Sequence, residues 1–91
     1  MRRKIAAGNW KMNGTLTQLE HLDVLAKCHP TPMVDIVVCP PNTLIAPATT
    51  QTSTTAIAIG AQDCHTATFG AHTGETSAQM LSEAGATHVL V

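Results

Sequence analysis

Four short apolar runs punctuate this chain: Ile5-Ala6-Ala7-Gly8, Ile36-Val37-Val38-Cys39, Ala56-Ile57-Ala58-Ile59 and Val89-Leu90-Val91. The stretches between them carry helical signals. After Gly14, Leu16, Leu19, Leu22 and Leu25 recur on one helical face with Ala26 beside them, which predicts a helix over 15–28. Thr15 and Gln18 have capping-box spacing, Lys27 stands in the last turn, and Pro30 and Pro32 stop the helix. A weaker helix is expected over 43–51, with Pro47 confined to its first turn and several threonines lowering its propensity. A third is expected over 77–84, capped by Thr76-Ser77, with Gln79 closing a box onto Thr76 and Gly85 as the terminating glycine. Its inward residues are expected to be Met80, Leu81 and Ala84.

The apolar runs read as strands over 3–8, 35–39 and 56–62, with a fourth starting at Thr87. The second run is apolar at consecutive positions, as in a strand covered on both faces. The third is built of small residues, which suits a crowded interior or a close backbone approach. Strands alternating with helices imply a parallel sheet with right-handed crossovers. Two architectures satisfy that order: an open doubly wound sheet, or part of a (β/α)8 barrel. No G-x-G-x-x-G or Walker motif follows any strand, which weakens a nucleotide-binding reading. At 91 residues the chain is one small domain or part of a larger one.

Charged residues make up 12% of the chain, about half the usual share, and the net charge is −1 without a basic block. That argues against a nucleic-acid partner. No apolar run is long enough to span a bilayer, so no membrane partner is expected. The basic start Arg2-Arg3-Lys4 is followed by too few apolar residues for a signal peptide. Cys28, Cys39 and Cys64 are odd in number and lack CxxC spacing, so free thiols in a reducing cytoplasm are expected. Cys64, His65 and His72 match no common zinc spacing, and no metal is assigned to them. His21, His29 and His88 receive no role.

The chemistry-bearing residues lie where the first run ends. Asn9 and Lys11 are two apart, so an extended backbone would send both side chains the same way, with Trp10 packed behind. An amide and an ammonium at the C-terminal end of a parallel strand can hold a phosphate or a developing oxyanion. A lysine just past a strand is, by itself, more often a solvated surface residue.

Ala7-Gly8-Asn9-Trp10-Lys11-Met12-Asn13 closely resembles the first strand and loop of the triosephosphate isomerase family. Gln62-Asp63-Cys64 followed by Gly70-Ala71-His72-Thr73-Gly74-Glu75-Thr76-Ser77 resembles that family's third loop. His72 stands where an aromatic is common, and Asp63 where asparagine is common. The resemblance implies a (β/α)8 TIM barrel, of which this chain supplies the first three and a half βα units as a single partial domain. It implies a cytoplasmic, glycolytic homodimer that interconverts dihydroxyacetone phosphate and glyceraldehyde 3-phosphate through an enediolate. Asn9 and Lys11 would then be the catalytic and substrate-binding residues. Met12, Thr73, Gly74 and Glu75 would lie at the dimer interface, the 63–76 loop supporting the Asn9 and Lys11 of the partner. No cofactor or metal is implied, because the reaction only moves protons.

The family divides its remaining labour between a carboxylate base and a neutral histidine that polarises the carbonyl, a well-known instance of pKa tuning. That histidine follows the fourth strand and the carboxylate the sixth, so both fall beyond Val91. A whole barrel takes about 250 residues. Residues 1–91 alone are therefore expected to be inactive. Two alternatives remain: a non-catalytic half-barrel that associates with itself through its open edges, and an open-sheet phosphate-binding module.

Overall fold

A computed structural model describes residues 2–91. Its strands are β1 (Ile5–Asn9), β2 (Asp35–Cys39), β3 (Ile57–Ala61) and β4 (His88–Val89). The helices are α1 (Glu20–Cys28), α2 (Ile45–Thr52) and α3 (Ala78–Ala84). Single 3-10 turns lead into α1 (Leu16–Leu19) and α2 (Asn42–Leu44). The strands form one parallel sheet in the order β1-β2-β3-β4. A doubly wound sheet reverses its strand order at a switch point, and this one does not. Right-handed crossovers in a sequential order put every helix on one face and leave the other to curl inward as half of a barrel.

Alternation along the strands sorts the side chains between those faces. Ile36 and Val38 of β2 and Ile57, Ile59 and Ala61 of β3 face the helices. There they pack with Leu19, Leu22, Leu44, Ile45, Ala48 and Leu81 into one buried core. The alternate positions Val37, Cys39 and Gly60 form the inner face. A Cβ on Gly60 would come within 2.8 Å of Cys39 Sγ and 3.1 Å of Val37 Cγ1. The small residues of β3 therefore leave room for the thiol and the valine of β2, the close approach anticipated for that run.

β2 is buried along Ile36–Cys39, whereas all five residues of β1 are exposed. β1 pairs on one side only, and its small residues reach little cover. Arg3 Nε donates to Asp35 Oδ1 at 2.9 Å at the N-terminal end of this strand pair. Both side chains are about half exposed, so the pair contributes little to stability.

Several local expectations shift. The segment 15–28 opens as a 3-10 turn, and Leu16 is exposed while Leu19 and Leu22 are buried. Gln18 Oε1 accepts from Thr15 N–H at 2.9 Å, as the cap spacing suggests. Pro47 is the third residue of α2, within its first turn. In α3 the cap is Ser77, whose Oγ accepts from Met80 N–H at 3.2 Å. Thr76 instead uses its hydroxyl to accept from Asn42 Nδ2 at 3.1 Å, so the Thr76–Gln79 box does not form. Met80 is half exposed rather than inward, because a helix of two turns buries one position deeply, here Leu81.

Candidate functional site

The site grows from the C-terminal ends of the first three strands. Asn9 is the last residue of β1 and pairs in register with Cys39, which places it on the inner face. Trp10 N–H still donates to the Cys39 carbonyl at 3.0 Å, so the ladder continues one bond past the strand. The indole packs against the helix-side core, as expected of Trp10. A Cβ on Gly14 would come within 2.9 Å of Trp10 Cε3, so the loop returns directly over the ring.

The chain then departs from the extended path that the Asn9/Lys11 spacing assumed. Lys11 takes φ of 58°, the sole positive φ at a non-glycine among the described residues. For an L-residue this conformation costs about 1–2 kcal/mol. Hydrogen bonds surround the bend. Asn9 Oδ1 accepts from Lys11 N–H at 2.8 Å, and Asn13 Nδ2 donates to the Trp10 carbonyl at 2.9 Å. Asn9 and Lys11 are therefore brought together by an amide-to-backbone bond across a turn, not by strand alternation.

That bond fixes which way the Asn9 carboxamide faces. Its oxygen is taken by Lys11, and its Nδ2 is left as a donor without a protein partner among the described residues. The Lys11 ammonium likewise pairs with no carboxylate among the described residues. An uncommitted amide donor and an unneutralised cation at one rim suit an oxyanion or a phosphate.

Gln62, the residue after β3, was given no role in the sequence. Its Nε2 donates to the Lys11 carbonyl at 2.8 Å and to the Cys39 carbonyl at 2.9 Å. The sequence cues are its place at the end of an apolar run and in the Gln62-Asp63-Cys64 segment.

None of the interface candidates takes part in these side-chain hydrogen bonds of the rim. Met12 is 94% exposed. Thr73, Gly74 and Glu75 are exposed in an excursion that leaves β3 at Gln62. The excursion is closed at its base by His65 N–H donating to the Thr76 carbonyl at 2.8 Å. Inside it the His65 and His72 rings face each other with centroids 4.1 Å apart. His65 Nδ1 accepts from Ala67 N–H at 2.9 Å. No three His, Cys, Asp or Glu side chains converge on a metal position among the described residues. No helix among them is long and apolar enough to cross a membrane.

The three cysteines are unpaired, with Cys28 exposed, Cys64 partly covered and Cys39 buried. Burial pushes the Cys39 thiol up from its ordinary value. Alkylating reagents attack the thiolate, so at pH about 8 Cys28 is expected to label first and Cys39 last. The difference should vanish in denaturant, and mass spectrometry of the timed digest reads the order. Cys39 labelling as fast as Cys28 in the native protein would contradict its place on the inner face.

A family model described as triosephosphate isomerase matches residues 4–91. A triosephosphate isomerase from Ruegeria pomeroyi is 50% identical over all of this chain, and one from Ruegeria sp. strain TM1040 is 54% identical. The chain spans 36% of the length of each. The crystal structure of triosephosphate isomerase from Bartonella henselae superposes with a TM-score of 0.91 at 41% identity. That superposition covers 97% of this chain and 37% of the other.

Proposed function

Because the chain belongs to the triosephosphate isomerase family, we propose that its rim is the electrostatic part of a triose-phosphate isomerase site. The observation that carries this reading is the Asn9 Oδ1–Lys11 N–H bond, which commits the amide oxygen and leaves Nδ2 free at the rim that also carries Lys11, whose ammonium pairs with no carboxylate among the described residues. The reaction removes a proton from the carbon next to a carbonyl and leaves an enediolate with negative charge on oxygen. Lys11 offsets that charge and the charge of the substrate phosphate, while Asn9 Nδ2 donates to a reacting oxygen. Neither gives up a proton, and both act from positions set before substrate arrives. The carboxylate base and the polarising histidine come from other parts of the barrel.

The test is interconversion of glyceraldehyde 3-phosphate and dihydroxyacetone phosphate by a full-length barrel that carries residues 1–91, beside residues 1–91 alone. Turnover by the barrel and none by the segment is expected. A folded barrel that turns over neither triose phosphate, or a segment that turns over both, overturns the assignment.

The working form is proposed to be a cytoplasmic homodimer. Met12, Thr73, Gly74 and Glu75 form the contact, with the 63–76 loop entering the partner beside its Asn9 and Lys11. Support comes from the exposure of all four residues and of Phe69, which is 82% exposed in the same loop. An arginine at position 73 would bring a long charged side chain into that contact. Thr73→Arg is therefore expected to shift the full-length protein to monomer and lower its activity at least tenfold. Sedimentation velocity and the isomerase assay read both, and a dimer of unchanged affinity would remove Thr73 from the interface.

A second reading rests on the exposure of β1. Residues 1–91 alone would cover that edge by self-association, without catalysis. Light scattering of the isolated segment decides it, and a well-folded monomer counts against it.

A further inference from the structure

We propose that Asn42 is a positioning residue for the 63–76 loop: its side chain latches Thr76, so the turn after β2 sets how the loop presents Thr73, Gly74 and Glu75 to a partner. Its bearing on assembly rests on the homodimer reading. Asn42 Nδ2 donates to Thr76 Oγ1 at 3.1 Å across 34 positions of sequence. Among the described residues it is the only side-chain hydrogen bond that joins residues 63–76 to the rest of the chain. Asn42 also borders, with Asp63, Cys64, Gly74 and Glu75, a cleft of about 50 Å3. It therefore lies against the segment that carries two of the interface candidates.

The anchor is itself well held. Pro40 and Pro41 precede Asn42, Pro41 takes φ of −56° and ψ of 155°, and Leu44 N–H donates back to the Pro41 carbonyl at 2.9 Å. Two successive rings fix φ and leave this turn little freedom. The Thr76 hydroxyl, by contrast, has a competing use. Thr76 and Gln79 have capping-box spacing, so without Asn42 the hydroxyl can accept from the Gln79 N–H and start α3 one residue earlier. With the bond to Asn42 made, Ser77 is the cap and accepts from Met80 N–H at 3.2 Å. Thr76 then stays outside the helix, where its carbonyl accepts from His65 N–H at 2.8 Å and closes the base of the loop. Asn42 thus decides which residue caps α3, and through that where the loop ends.

The test uses a full-length barrel that carries these residues. Asn42→Ala and Thr76→Val each remove one partner, and Thr76→Ser keeps the hydroxyl. One net hydrogen bond is a factor of about five in an equilibrium, and a symmetric dimer carries the latch twice. The dimer dissociation constant, read by sedimentation velocity over a dilution series, is therefore expected to rise about 5- to 25-fold in the Ala and Val variants. The double variant should add less than about twofold to either, because both substitutions break the same bond. Thr76→Ser should stay within about twofold of the parent. Isomerase activity lost on dilution of the Ala and Val variants should return on concentration.

A dissociation constant within twofold of the parent in either single variant, or losses that multiply in the double variant, overturn the latch. If the unaltered barrel is a monomer at every concentration, the homodimer reading fails. Crystal structures of the parent and of Asn42→Ala then decide the latch by themselves: Thr76 moved onto the Gln79 N–H supports it, and Thr76 unmoved refutes it.

Discussion

Lys11→Met, in a full-length barrel carrying these residues, is expected to lower kcat/KM by at least about a thousandfold, equivalent to about 4 kcal/mol of transition-state stabilisation. The substitution removes the charge and keeps a side chain of similar length. Methionine, like lysine, is an L-residue with a Cβ, so the cost of φ at 58° is the same in both proteins. The Asn9 Oδ1 and Gln62 Nε2 bonds are made to the Lys11 main chain and survive the change. Lys11 is exposed, and stability should move by no more than about 0.5 kcal/mol. A large kinetic loss without a stability loss therefore isolates the ammonium. Lys11→Arg keeps the charge but spreads and displaces it, and it should fall between the two. Steady-state kinetics in both directions, with a urea titration, check the set. A Met variant within tenfold of the parent would make Lys11 a surface residue.

The second large effect concerns stability. Gly85 ends α3 with φ of 113°, where its N–H and that of Ala86 turn back onto the helix carbonyls, the latter reaching Leu81 at 2.9 Å. A Cβ at that position would collide with Cγ2 and Oγ1 of Thr49 in α2. Gly85→Ala thus combines a disfavoured backbone conformation, about 1–2 kcal/mol, with overpacking of about 1–3 kcal/mol. A loss of about 3 kcal/mol is expected, read from the urea midpoint. The hydroxyl of Thr49 is buried without a hydrogen-bond partner, so that side chain contributes bulk here and no polar contact. Adding Thr49→Ala should recover the steric part, about half of the loss, and leave the conformational part. A single variant that loses less than about 1 kcal/mol would show that α2 and α3 do not meet this closely at Gly85.

These two sites also mark how far residue patterns reach. β2 is legible to the residue, because Pro40-Pro41 ends a β-branched run that both faces bury. Gly85 is legible as a helix terminator, yet its contact with Thr49 is not, because that depends on how two helices cross. The barrel direction follows from strand order, which the alternation of elements alone leaves open between two architectures. At the rim, Asn9 and Lys11 do come together, but by another route than their spacing suggests. Spacing on an extended strand puts them side by side, whereas the chain bends at Lys11 and a side-chain-to-backbone bond joins them.

Gln62 was hidden for a physical reason. Its partners are carbonyl groups, which every residue carries, and they lie 51 and 23 positions away in sequence. Nothing in residue type marks them before the strands are side by side. Met80 fails in the opposite sense. Its apolar side chain suggested burial, but it borders the cavity beneath the 65–77 excursion with His65, Phe69 and His72 rather than the core.

The electrostatic role of the rim is tested most directly by the affinity for a stable, planar, anionic mimic of the enediolate that carries a phosphate. Calorimetry would compare the full-length barrel with its Lys11→Met variant. A mimic resembling the transition state should lose affinity by about the same factor by which kcat/KM falls, about a thousandfold. Unchanged affinity for the mimic in the Met variant would contradict charge stabilisation by Lys11, whatever the turnover shows.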